Sequence, residues 1–226
     1  MMLSPLGPIT IGLLIAAVLV AVIDWILAAR PVNGARWMTK GLVPTLLVLA
    51  VALHSAEQGK PSWSAVLGCG ALVLCLLGDL FLLDDRRFIP GAVAFGAAHL
   101  VFVAALLRDA WSEGWPSGWG IYVSVAVVGA ALLAVGWRIV SAAAAQRQGI
   151  LAGVYLVVIS LLVLAAGVGS ATFGGWAALL GAILFYASDG ILAWRRFVIK
   201  AERDSALVMI PYHLALFLLA GWALVS

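Results

Sequence analysis

Long apolar runs, separated by short polar or Gly- and Pro-containing breaks, divide the chain into eight segments at approximately 9–29, 38–55, 64–83, 88–107, 118–137, 149–168, 174–194 and 205–225. A helix needs roughly 20 apolar residues to cross a hydrocarbon layer of about 30 Å, and each segment comes close to that length. The pattern predicts an all-α, polytopic membrane protein with eight transmembrane helices. The second run is the shortest and opens on a charge, Lys40. The first has no basic residue before it, is too long for the apolar core of a signal peptide, and has no small-residue cleavage site ahead of Arg30. It is expected to be a retained span.

Composition strengthens this reading. Of 226 residues, 65% are hydrophobic and 10% charged, more apolar surface than a water-soluble domain of this size can hide. The 24 glycines suit close helix packing in lipid, as in the runs Gly68-Cys69-Gly70-Ala71 and Gly91 to Gly96. Cys69 and Cys75, six residues apart on one helix, are separated by roughly 9 Å along its axis and lie on different faces, so they read as packing residues. The net charge of +3 is small and scattered, which gives no reason to expect nucleic acid.

The charge has an orientation, however. Eleven of the 13 basic residues (Arg30, Arg36, Lys40, Arg86, Arg87, Arg138, Arg147, Arg195, Arg196, Lys200 and Arg203) flank the loops after spans 1, 3, 5 and 7; only Lys60 and Arg108 lie on the other side. The positive-inside rule then puts those loops in the cytoplasm and both termini outside, in an inner (cytoplasmic) membrane. Trp63, Trp111, Trp115 and Trp119 fit an outer aromatic belt.

Two acids interrupt the apolar runs, Asp79 in CGALVLCLLGDLFLL and Asp189 in GAILFYASDGILAW. Each costs about 3 kcal/mol at mid-helix on insertion scales, so stability gives no reason to keep them. Their surroundings are alike: Asp79, Arg86, Arg87, Phe88 and His99 align with Asp189, Arg195, Arg196, Phe197 and His213. Lys40-Gly41-Leu42-Val43 aligns weakly with Gln148-Gly149-Ile150-Leu151. The chain reads as one transmembrane domain, 1–226, built of two four-helix repeats, about 1–110 and 111–226. An even number of spans per repeat makes the copies parallel, so both aspartates should share one membrane depth.

Other polar residues fall in the same half of the membrane: Asp24, Lys40, Tyr155, Tyr186, Ser188, His99 and His213; only His54 belongs to the outer end. Such a cluster describes a cavity open toward one leaflet. Low dielectric disfavours a charged carboxyl group, and two close carboxyls resist being ionised together. One that keeps its proton is a donor and its ionised neighbour a base, an acid–base apparatus that needs no covalent intermediate. Lys40 would hold one of the pair as carboxylate. The plainer alternative is an ion pair that locks helices, above all for Asp24, which lies near Arg30. Asp84, Asp85, Arg86, Arg87, Arg195 and Arg196 read as interfacial charges that set orientation, one or two of them with a phosphate to bind.

In order and spacing, Lys40, Gly78-Asp79, Phe88, His99, Tyr155, Ser188-Asp189 and Arg196-Phe197 resemble the YhhN family, the lysoplasmalogenase-like membrane proteins. The resemblance spans nearly the whole chain. One departure is Gly41 after Lys40, with Pro44 later, where the family pattern has Lys-Pro; it bears on how the second helix begins. The resemblance implies cleavage of the vinyl ether bond of lysoplasmalogens to a fatty aldehyde and a glycerophospho-alcohol. Asp189, bracketed by Tyr186 and Ser188, would be the donor, and Asp79 the cation stabiliser and base, an order that can be reversed. Lys40, Tyr155, Tyr186, Ser188, His99, His213 and Asp24 would bind a lysophospholipid, with its tail between helices and its phosphate near Lys40 and the cytoplasmic arginines. No cofactor is expected. Two other classes stay open: a metal-dependent lipid hydrolase using His99 and His213, similar to the alkaline ceramidases, and a proton-coupled transporter of lipids or small molecules.

Overall fold

The structure is a computed structural model that describes residues 6–29, 36–59, 61–112, 114, 118–171, 174–201 and 205–226. Arg30, Lys60, Trp115 and Arg203, which entered the orientation argument, lie outside the described residues. Eight helices are long and apolar enough to cross a membrane, and no strand occurs among the described residues. In chain order they are α1 Pro8–Ala28, α2 Arg36–Glu57, α3 Trp63–Leu82, α4 Phe88–Ser112, α5 Gly120–Ala144, α6 Gly149–Val168, α7 Gly175–Val198 and α8 Ala206–Val225.

Local chemistry explains the boundaries. Pro8 opens α1, where a missing amide proton does no harm. Ser62 caps α3, accepting from the Ala65 amide at 3.0 Å. Helix α2 runs unbroken through Gly41 and Pro44, so the departure from Lys-Pro leaves the entry helical. Two helices are longer than the apolar pattern suggests. α4 continues past Arg108 because that guanidinium stacks over Trp63 at 5.1 Å and Asp109 accepts from Ser64 at 2.6 Å. α5 continues past Arg138, which lies 5.4 Å over the Trp137 ring. Both α5 and α7 contain a π-helical turn, Leu132–Gly136 and Trp194–Val198, each adding a residue to one turn.

Among the described residues each helix packs closely on the next, apart from α4 and α5. α8 also meets α1, α2 and α3, and α6 also meets α4, so the two halves interlock. α8 is the most buried span, whereas α1 and α5 are peripheral. α1 turns Ile11, Ile15, Leu19 and Ile23 outward, exposed to what must be lipid. A close crossing joins α5 to α6 and the turn that follows it: a Cβ at Gly120 would collide with Ser170 Oγ, and one at Gly167 with Ser124 Oγ.

Candidate active site

Asp79 ends α3 one turn inside its terminus and is 1% exposed. The Lys40 ammonium of α2 stands 3.9 Å from its Oδ1, and the Tyr212 hydroxyl of α8 donates to its Oδ2 at 2.6 Å. Gly78, next to it, has no side chain because the Phe95 ring of α4 lies 2.6 Å from where a Cβ would sit. A buried carboxylate with a cation and a hydroxyl donor is a compensated charge.

Asp189 on α7 has a different setting. The Tyr155 hydroxyl of α6 donates to its Oδ2 at 2.5 Å, and His99 Nε2 of α4 lies 3.7 Å from the same oxygen. Among the described residues neither His99 nitrogen has a hydrogen-bond partner; the ring is wedged edge-on between Tyr155 and Phe185, with centroids at 5.7 and 4.5 Å. Phe185 in turn meets Tyr212 at 5.4 Å and Phe95 at 6.2 Å. This aromatic wall joins the two acids, since His99 faces Asp189 and Tyr212 holds Asp79.

One cavity, with about 710 Å³ of unfilled space including its open part, lies between α4, α5, α6 and α7. Its walls are almost wholly apolar, and its polar side chains are Asp189, Tyr155 and Tyr186. The Tyr186 hydroxyl is buried, with the Ser160 hydroxyl of α6 as its neighbour. Leu82, Phe88, Ile139 and Phe197 line the end toward the α3–α4 and α5–α6 loops. Phe88 and Phe197 meet edge to face at 6.0 Å, and the Arg196 guanidinium lies 3.8 Å over Phe88.

The structure thus brings Asp189, Tyr155, Tyr186 and His99 together on or beside the cavity. Asp79 and Lys40 form a buried pair behind the aromatic wall and do not line it. Ser188 faces the other way, donating to the Val208 carbonyl of α8 at 3.0 Å. His213 Nδ1 accepts from Trp25 Nε1 at 3.0 Å, beside Tyr212. Asp24 accepts from Thr39 at 2.7 Å and pairs with Arg36 at 3.7 Å. Tyr212, Phe185, Trp25, Thr39 and Arg36 escaped the sequence argument as site residues. Tyr212 carried a signal, being a tyrosine deep in an apolar run like Tyr155 and Tyr186. His99 and His213 are not brought together, and among the described residues no three His, Cys, Asp or Glu side chains are placed to hold a metal ion.

Fold and site define a multi-pass membrane protein with a buried carboxyl group on an apolar cavity. The profile of the YhhN family matches residues 35–222, and the chain belongs to that family. It is 28% identical over 197 residues to a human protein named lysoplasmalogenase TMEM86B, covering 87% of this chain and 80% of that one. Its mouse counterpart of the same name is 27% identical over 191 residues, covering 84% and 76%. No solved structure matches.

Proposed function

We propose that the protein is a membrane hydrolase that cleaves the vinyl ether bond of lysoplasmalogens, with Asp189 as the acid. The observation that carries this is a carboxyl group on an apolar cavity, held by a tyrosine and without a Lys or Arg partner among the described residues. The names of the human and mouse relatives supply the substrate class.

A protonated Asp189 delivers its proton to the alkene carbon remote from the ether oxygen. The C=C electron pair forms the new C–H bond, and the positive charge is shared with oxygen as an oxocarbenium ion. Water adds to the cationic carbon and yields its proton to the Asp189 carboxylate. The hemiacetal then collapses to fatty aldehyde and glycerophospho-alcohol. Because Tyr155 and His99 both approach Oδ2, Oδ1 is the oxygen that carries the proton. The Tyr155 hydrogen bond strengthens as Asp189 becomes charged, so it favours the transition state over the ground state. Asp79, paired with Lys40, acts as a positioning residue: it orients Tyr212, against which Phe185 packs, and Phe185 in turn packs against His99.

We also propose that the chain is a parallel repeat with both termini outside. Asp79 on α3 draws its partners from α2 and α8, and Asp189 on α7 from α6 and α4. Advancing each helix by four places, counted cyclically, converts one set into the other, which supports the repeat. The arginine-rich helix ends then face the cytoplasm with the cavity mouth.

The test is aldehyde release. Purified protein in lipid nanodiscs should liberate fatty aldehyde from 1-alkenyl-glycerophosphoethanolamine and none from its 1-acyl analogue. Asp189→Asn should remove at least about 100-fold of the rate while retaining the elution profile of the folded protein. Full activity in that variant would sink the mechanism.

A further inference from the structure

We infer that Arg196 is the phosphate-recognition residue of the cavity, reading the phosphodiester of a lysophospholipid head group at the mouth. The inference deepens the reading above and rests on it for the identity of the scissile bond. It rests on geometry for the rest.

Arg196 lies seven residues beyond Asp189, about two turns along α7, and directly precedes Phe197 of the cavity wall. The π-helical turn Trp194–Val198 carries it, closed by the Ile199 amide bonding back to Trp194 at 3.2 Å. Gln146 fixes that turn from the α5–α6 loop, donating to the Phe197 carbonyl at 3.2 Å. Single π turns of this kind re-aim side chains and recur at functional sites. Here the turn places Phe197 in the cavity wall and the Arg196 guanidinium against Phe88, which lines the same mouth.

The guanidinium has no carboxylate partner among the described residues, and its Nε is buried without a hydrogen-bond acceptor. Stacking on Phe88 satisfies one face of the ion but none of its N–H groups. What is missing is an anionic acceptor, and a phosphate oxygen suits a guanidinium fork. Spacing agrees. Seven residues rise roughly 10 Å, and a long helical side chain leans back toward the helix N-terminus, here toward Asp189. Five covalent bonds separate the vinyl ether oxygen of a lysoplasmalogen from phosphorus, roughly 6 Å when extended. A lysophospholipid with its alkenyl bond at Asp189 therefore brings its phosphate within reach of Arg196.

The experiment measures binding, so that it does not depend on cleavage. The full-length protein in detergent is titrated with 1-acyl-lysophosphatidylethanolamine and with the monoacylglycerol of the same chain, followed by tryptophan fluorescence. In the wild type the phosphate should tighten binding by about 10- to 100-fold, the range of charge-assisted hydrogen bonds. Arg196→Gln should abolish that advantage and leave monoacylglycerol binding unchanged; Arg196→Lys should retain part of it. Displacement of the lysolipid by glycerophosphoethanolamine but not by equimolar inorganic phosphate supports a lipid head group. An advantage that survives in Arg196→Gln, or an equal loss for both ligands, overturns the assignment, as does a site that takes inorganic phosphate equally well. A wild type that binds as expected yet releases no aldehyde overturns the vinyl ether reading alone.

Discussion

Replacing Lys40 with Met removes the cation from a buried pair and leaves Asp79 with the Tyr212 hydrogen bond and no ammonium at 3.9 Å. At that separation, with an effective dielectric near 20, the lost attraction is about 4 kcal/mol, within the 3–5 kcal/mol typical of breaking a buried pair from one side. Asp79→Asn should cost less, about 1–2 kcal/mol. The asparagine oxygen still accepts from Tyr212, and Lys40, four residues into α2, has a long stem that can carry its charge toward the interface. The double variant Lys40→Met/Asp79→Asn has no charge left to orphan. It should be more stable than Lys40→Met alone, with a coupling of about 2–4 kcal/mol. Unfolding in mixed micelles titrated with SDS, followed by tryptophan fluorescence, gives the four stabilities. Single effects that add to the double within about 0.5 kcal/mol would refute the pairing, because residues in contact do not behave independently.

Three other outcomes follow from the same contacts. Tyr155→Phe should lower kcat of aldehyde release by about 10- to 100-fold with little change in KM, since its hydrogen bond strengthens only as Asp189 ionises; steady-state kinetics reads the split. Thr39→Val should destabilise the fold by about 1–2 kcal/mol through the lost bond to buried Asp24, visible in the same SDS titration, and leave KM unaltered. Gly167→Ala should cost about 1–3 kcal/mol by forcing α5 and α6 apart, whereas Gly153→Ala, where a Cβ meets nothing within 4 Å, should be neutral.

The spans were legible because lipid imposes a length and an apolar face on each of them, and the eight segments agree with the helices to within a few residues except at the ends of α4 and α5. The apolar pattern stops short at those ends because Arg108 and Arg138 look like exits in one dimension, while in three they lie over Trp63 and Trp137 and let the helix go on. Asp79 and Asp189 stood out because charge in lipid is rare. Their different settings did not, since they depend on which helix faces which: Lys40 could have met either acid. Ser188 and Tyr186 both neighbour Asp189 in sequence, yet Tyr186, one turn back, shares its cavity, and Ser188, one residue away, faces α8. Asp24 finds Arg36, because Thr39 and Arg36 share the facing side of α2.

The central position of α8 sets a timetable for biogenesis. Asp79 waits for Tyr212, 133 residues later in the chain, and Trp25 waits for His213, 188 residues later. At 5–20 residues per second those intervals are about 7–27 and 9–38 s, during which the first helices sit in the bilayer without the element that completes their polar contacts. Lys40 enters before Asp79, so the charge that compensates the acid is already in place when α3 arrives. α2 and α3 are therefore expected to insert as a neutral hairpin, and assembly of the bundle is to be completed only after translation of α8.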